Sequence, residues 1–120
     1  MRFTGPHALI DLAALRHNLG VARRRAPASR IWAVIKADAY GHGLERAAAA
    51  LAAADGFAVA RVEEALRLRS AGVEHPILVL TGALSREETA AAQEHRLDLA
   101  LHQGEQMTWL EGLPPGPTLR

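Results

Sequence analysis

Short apolar runs return along this chain at intervals of about 20–25 residues, each followed by a stretch with helical spacing. They open at Ile31 (IWAVI), Phe57 (FAVA), Ile77 (ILVL) and Leu97 (LDLAL). The first is almost unbroken by polar residues and rich in β-branched side chains, the pattern of a strand buried on both faces. Between the runs, Leu44, Ala47, Ala48 and Leu51 share one face of a helix expected from Leu44 to Ala54. Further helices are expected over Val62 to Ala71, Ser85 to about His95, and Gln103 to Gly112. Strand–helix alternation of this kind argues for βαβ units and a parallel sheet. Four such units are half of an eight-unit barrel of about 250 residues, or else a small open α/β sheet.

The punctuation agrees with this division. His7 to Asp11 (HALID) reads as a short strand, with Asp11 the N-cap of a helix whose Leu15, Leu19 and Ala22 share a face. Pro27 and Ser29 break that helix, and the run Arg23-Arg24-Arg25 reads as a basic helix end opposing the macrodipole. Asp55-Gly56 is expected to stop the next helix with a left-handed glycine, and Gly72 to end the one after it. Ser85 followed by Glu88 carries a capping-box signature. Pro114, Pro115, Gly116 and Pro117 read as a linker before a further strand, so the chain is expected to be the N-terminal piece of a longer protein.

Composition narrows the class. Hydrophobic residues make up 49%, charged residues 22%, and the net charge is +1, as in an ordinary globular protein and unlike a disordered or nucleic-acid-binding one. The apolar stretch from Ala47 to Ala54 is far below spanning length, and the start of the chain is too short in apolar residues for a secretory signal. No membrane association is expected. With no cysteine, disulfides, thiolate catalysis and cysteine zinc sites are excluded, which fits a cytoplasmic protein. The histidines show no i,i+4 pairing, and no metal site is assigned.

The chemistry concentrates in Ala33 to Leu44, AVIKADAYGHGL. Thirteen arginines accompany a single lysine, Lys36, and the chain's one tyrosine, Tyr40, lies four residues later. Guanidinium stays protonated, whereas a primary amine can lose its proton and condense with an aldehyde. Lys36 falls at the carboxyl end of the Ile31–Ile35 strand, where barrels and open sheets place their active sites. Tyr40 could donate to a phosphate oxygen, and Gly41 and Gly43 leave backbone room ahead of a helix start that favours anions. Amine, phenol and glycine-flanked helix start together point to pyridoxal phosphate, against the alternative of a structural lysine.

AVIKADAYGHG resembles very closely the pyridoxal-phosphate lysine motif of the alanine racemases, fold-type III barrel enzymes. ALIDLAALRHNL (Ala8 to Leu19), FAVARVEEALRLRSAG (Phe57 to Gly72) and PILVLTG (Pro76 to Gly82) are similar to the same family, so the likeness spans Ala8 to Leu110. It implies an α/β fold, the N-terminal half of a (β/α)8 barrel, with the second half and a C-terminal β-domain absent. It further implies that Lys36 forms the internal aldimine with pyridoxal 5'-phosphate and acts as the base on the D-alanine face. Tyr40 would bind the cofactor phosphate and Val34 would line the cofactor. The family's second base is a tyrosine, and this chain has none besides Tyr40. The implied parent is a homodimeric isomerase acting on alanine and supplying D-alanine for peptidoglycan. The 120-residue chain alone is expected to be inactive. Alternatives are a racemase of another amino acid such as serine, or a non-catalytic pyridoxal-phosphate-binding barrel protein.

Other residues carry plainer readings. Asp38 is expected to cap backbone N–H groups and His42 to pack in its turn against the following helix. Trp32 is expected under the helices, and Met107 and Trp109 in core or interface. The glycines of Gly41-His42-Gly43 lack the third member of a dinucleotide fingerprint.

Overall fold

The computed structural model describes residues 4–116; Pro117 to Arg120, the end of the expected linker and of the chain, lie outside them. The first helix, α1 (Leu12–Arg25), begins where Asp11 accepts the Ala14 N–H at 3.1 Å, as its N-cap role requires. Then follow β1 (Trp32–Val34), a single turn α2 (Lys36–Tyr40), α3 (Leu44–Ala50) and β2 (Gly56–Val59). The chain continues through α4 (Val62–Ser70), β3 (Ile77–Val79), α5 (Arg86–Glu94), β4 (Asp98–Leu99) and α6 (Gly104–Glu111). The strands form one parallel sheet in the order β1-β2-β3-β4, so the expected α/β alternation is the observed architecture.

Register divides the sheet into two unlike faces. Ala33, Phe57 and Ile77 stand in line, as do Val59 and Val79, and they pack with Ile35 and Leu97 against the helices. Leu44, Ala47 and Ala48 of α3, Ala65 and Leu68 of α4, and Ala92 of α5 close this core, with Leu15 and Leu19 of α1 at its border. The opposite face carries Trp32 and Val34, 38% and 42% exposed. The Ile31–Ile35 run is therefore buried on one face only. Trp32 does not pack under the helices: its ring lies over Gly56, where an added Cβ would come within 2.8 Å of it. That contact, and not a left-handed helix cap, is the reason for glycine at position 56, since Gly56 opens β2. The helix before it ends early, at Ala50.

Some local expectations hold and others do not, and the capping box at Ser85 is met in part, since Glu88 reaches the N–H before the cap. Ser85 Oγ accepts the Glu88 N–H at 3.1 Å, while Glu88 reaches back to the Leu84 N–H at 2.7 Å. Gly72 takes a positive φ of 86° just after α4. His7 to Asp11 forms no strand; Leu9 there is 90% exposed and the segment finds no partner strand among the described residues. The Leu97–Leu101 run shortens to two paired residues. Met107 is exposed and Trp109 half-buried, so α6 contributes little apolar core.

Two polar ties hold the outer layer. Asp55 accepts the Ile31 N–H at 2.7 Å and Arg23 Nη1 at 2.8 Å, joining the end of α1 to the entry of β1. Arg23 of the basic helix end is thus an ion-pair partner as well as a dipole counter-charge. Arg69 of α4 donates to four carbonyls, those of Val73, His75, His95 and Arg96, and burial pushes its pKa down from the ordinary value.

Candidate active site

Lys36 follows β1 directly, at the carboxyl edge of the parallel sheet. The β1–β2 ladder runs one residue past Val34, with the Ile35 N–H donating to the Ala58 carbonyl at 2.9 Å. Beyond it the backbone turns the wrong way for L-residues: Ala37, Asp38, Ala39 and Tyr40 all have φ between 52° and 56°, and Gly41 follows at 85°. The segment is one turn of left-handed helix, closed by Ala39 N–H to Ile35 O (2.9 Å) and Gly41 N–H to Ala37 O (3.0 Å). Each non-glycine residue in this region costs about 1–2 kcal/mol, so the four together store roughly 4–8 kcal/mol. Strain of that size persists only where neighbours over-determine the backbone.

The neighbours are identifiable. Asp38 Oδ1 accepts the Leu44 N–H at 2.9 Å, and the Asp38 carbonyl accepts the Gly43 N–H at 2.9 Å. Arg67 of α4 donates to Asp38 at 3.3 Å and to both oxygens of Glu45 in α3 at 3.0 and 2.9 Å. Glu64 Oε2 accepts the Asp38 N–H at 3.4 Å, while its other oxygen caps α4 through the Ala60 and Arg61 N–H groups. The Leu44 N–H, and after it Arg67, holds the Asp38 carboxyl below the usual carboxylate range. Asp38 is thus a backbone cap, as its loop position implied. His42 turns a ring nitrogen back onto the Ala39 carbonyl at 2.8 Å.

The three side chains singled out in the sequence lie within seven residues around this turn. Lys36 is half-buried, Val34 is 42% exposed and Tyr40 59% exposed. Tyr40 therefore presents its phenol to solvent at the sheet's carboxyl edge. The start of α3 adds less than expected, because Asp38 already occupies its first N–H. The concavities at α4–α5 (about 590 Å³) and α1–α3 (about 420 Å³) lie elsewhere, and neither is lined by Lys36, Val34 or Tyr40. Among the described residues, no three His, Asp or Glu side chains cluster as a metal would need, and no helix is long and apolar enough to cross a membrane.

The comparisons with known proteins bear on this geometry. Residues 10–119 match the family model described as alanine racemase, N-terminal domain. The chain belongs to that family. An alanine racemase of Nitrosococcus oceani is 53% identical over 106 residues, covering 88% of this chain and 30% of the relative. One from Nitrosospira multiformis is 50% identical over 112 residues, covering 93% and 31%. The biosynthetic alanine racemase structure from Pseudomonas aeruginosa superposes with a TM-score of 0.82 at 44% identity, covering 87% of this chain and 30% of that one. The Acinetobacter baumannii alanine racemase structure gives 0.81 at 39% identity, covering 84% and 28%. The chain thus spans about 30% of the length of the alanine racemases it matches. Its four βα units have the fold of the N-terminal half of the alanine racemase (β/α)8 barrel. Within this family fold, the parts that Arg67 and Glu64 play around the Lys36 turn had no signal in the sequence beyond Glu64's place in the first turn of α4.

Proposed function

We propose that Lys36, Tyr40 and Val34 form part of a pyridoxal 5'-phosphate site, and that this chain supplies that half-site to an alanine racemase. The observation that carries the reading is the sole lysine at the carboxyl end of β1, within AVIKADAYGHG, in a chain 50% identical to a named alanine racemase over 93% of its length. The residues present fit the cofactor. Lys36 is the one side chain able to condense with an aldehyde, and the exposed Tyr40 carries a phenol able to donate to a phosphate.

When bound, pyridoxal phosphate supplies an electron sink that makes a substrate α-C–H acidic. Lys36 Nζ would hold the aldehyde end until a substrate amine takes its place, and the freed amine would then serve as the base that takes and returns the α-proton on the D-alanine face. Tyr40 Oη donates to a phosphate oxygen, and Val34 lines the cofactor beside β1. No second tyrosine is available in this chain for the opposite face, so its 120 residues alone are expected to turn over no alanine. The active form in this reading is a longer, cytoplasmic homodimer whose D-alanine feeds peptidoglycan. The relatives' names favour alanine over serine as substrate.

Absorbance titration with pyridoxal phosphate tests the reading. A saturable Schiff-base band is expected for the unaltered chain and only the weak, non-saturating band of the Met1 amine for Lys36→Arg, which keeps the charge but lacks the side-chain amine. An undiminished band in Lys36→Arg would remove Lys36 from the site.

A further inference from the structure

Three features meet at the turn after β1. The only lysine is its first residue, and its backbone is strained over four consecutive non-glycine positions. Two side chains of α4, Glu64 and Arg67, and the first N–H of α3 converge on the middle of the turn, at Asp38. Asp38 carries no substrate-facing role in the reading above, yet it makes more of these contacts than any other residue of the turn. Its carboxylate takes the first N–H of α3 and the Arg67 guanidinium of α4, and its own N–H meets Glu64. Arg67 in turn bridges to Glu45, so the turn, α3 and α4 are joined through one aspartate.

We propose that Asp38 is a positioning residue, locked by Arg67, which holds the left-handed turn in the conformation that aims Lys36 and Tyr40 at the cofactor. The proposal rests on the reading of Lys36 as the cofactor lysine. The physical reason is directional. A left-handed turn projects its side chains along paths that a right-handed one cannot, so relaxation of Ala37–Tyr40 to ordinary φ values would re-aim both Lys36 and Tyr40. A backbone so strained needs an external tether, and Asp38 is where the tethers attach. Glu64 contributes to the same tether, but it also caps α4, so its replacement would mix two effects.

The test uses Asp38→Ala, Asp38→Asn and Arg67→Met, with two readouts. The first is amide hydrogen exchange, which needs no cofactor. In Asp38→Ala, protection of the Gly43 and Leu44 amides is expected to fall by about tenfold or more, the scale of one charge-assisted hydrogen bond, with β2 and β3 unchanged. Asp38→Asn keeps an acceptor for Leu44 and should retain most of that protection; Arg67→Met should fall between. The second readout is borohydride trapping of pyridoxal phosphate, scored as label at Lys36 relative to the Met1 amine. That ratio is expected to drop several-fold in Asp38→Ala and to be largely rescued in Asp38→Asn. Unchanged local protection, a uniform loss extending to β2 and β3, or an unchanged ratio in Asp38→Ala would each overturn the proposal. If the unaltered chain labels Lys36 no better than Met1, the cofactor reading fails, and the exchange data still decide whether Asp38 holds the turn.

Discussion

Gln106 offers the most closely worked test of how the carboxyl edge of the sheet is held. It is 3% exposed, and its amide makes four hydrogen bonds. Oε1 accepts the N–H groups of His102 (2.7 Å) and Gln103 (3.3 Å), and Nε2 donates to the carbonyls of Thr81 (3.2 Å) and Ala83 (2.9 Å). It thereby ties the loop after β3 to the entry of α6. Gln106→Met keeps the volume and removes all four bonds. At about 1 kcal/mol net for each neutral bond, less where water can replace a partner, the loss should be about 2–4 kcal/mol. That is a large part of the roughly 5–15 kcal/mol that stabilises an ordinary domain. Gln106→Glu separates donor from acceptor: it still accepts from His102 and Gln103, but its carboxylate faces two carbonyl oxygens. The Glu variant should therefore be no more stable than the Met variant at pH 7. It should gain on the Met variant as acidification protonates the carboxyl and restores a donor, because burial beside acceptors raises that pKa. Urea melts at pH 7 and pH 5 read both effects. A Met variant within about 0.5 kcal/mol of the parent, or a Glu variant more stable than the Met variant at pH 7, would refute the reasoning.

Further outcomes follow from the same structure. Gly82 has φ of 68°, and an added Cβ would run into the Ala100 carbonyl, so Gly82→Ala should cost about 2–4 kcal/mol in a thermal melt. Ala37→Gly should do the reverse: relief of left-handed strain at an exposed position, less the entropy of a freer unfolded chain, should leave a gain of up to about 1 kcal/mol. A lower melting temperature for Ala37→Gly would count against the strain described for this turn. The Ile31 N–H, followed by Arg23, lowers the Asp55 carboxyl in the folded chain below its usual 3.8. Its contribution is therefore complete above that value and lost as pH falls through the lower folded one. The stability gap between the parent and Asp55→Ala should shrink on acidification below pH 3.8, and a gap independent of pH would contradict the assignment.

Much of the fold was legible because strand and helix periods are carried by local side chains. Ile31, Phe57, Ile77 and Leu97 each lay within or beside the start of a strand, and Asp11, Gly72 and Ser85 acted at the helix ends where their chemistry places them. The errors arose where distant partners decide. HALID had the pattern of a strand but no partner strand among the described residues, and Gly56 was shaped by the Trp32 ring from a neighbouring strand. The alanine run beyond Ala50 held no local stop signal, yet α3 ended there. At the site, Lys36 and Tyr40 stood out by rarity. The left-handed turn did not, since alanine and tyrosine have no preference for positive φ. Its cause lies 26 and 29 residues away, in Glu64 and Arg67, beyond the reach of any local pattern.

The central claim is that Lys36 is the cofactor lysine within a preformed strand–turn site. The most direct measurement is to incubate the purified chain with pyridoxal phosphate, reduce with borohydride, and map the label by mass spectrometry. With one lysine, Met1 is the only competing amine. The account expects label concentrated at Lys36 in folded chain, and that preference lost when the chain is unfolded first. Label at Met1 alone, or equal label at Lys36 in folded and unfolded chain, would contradict it.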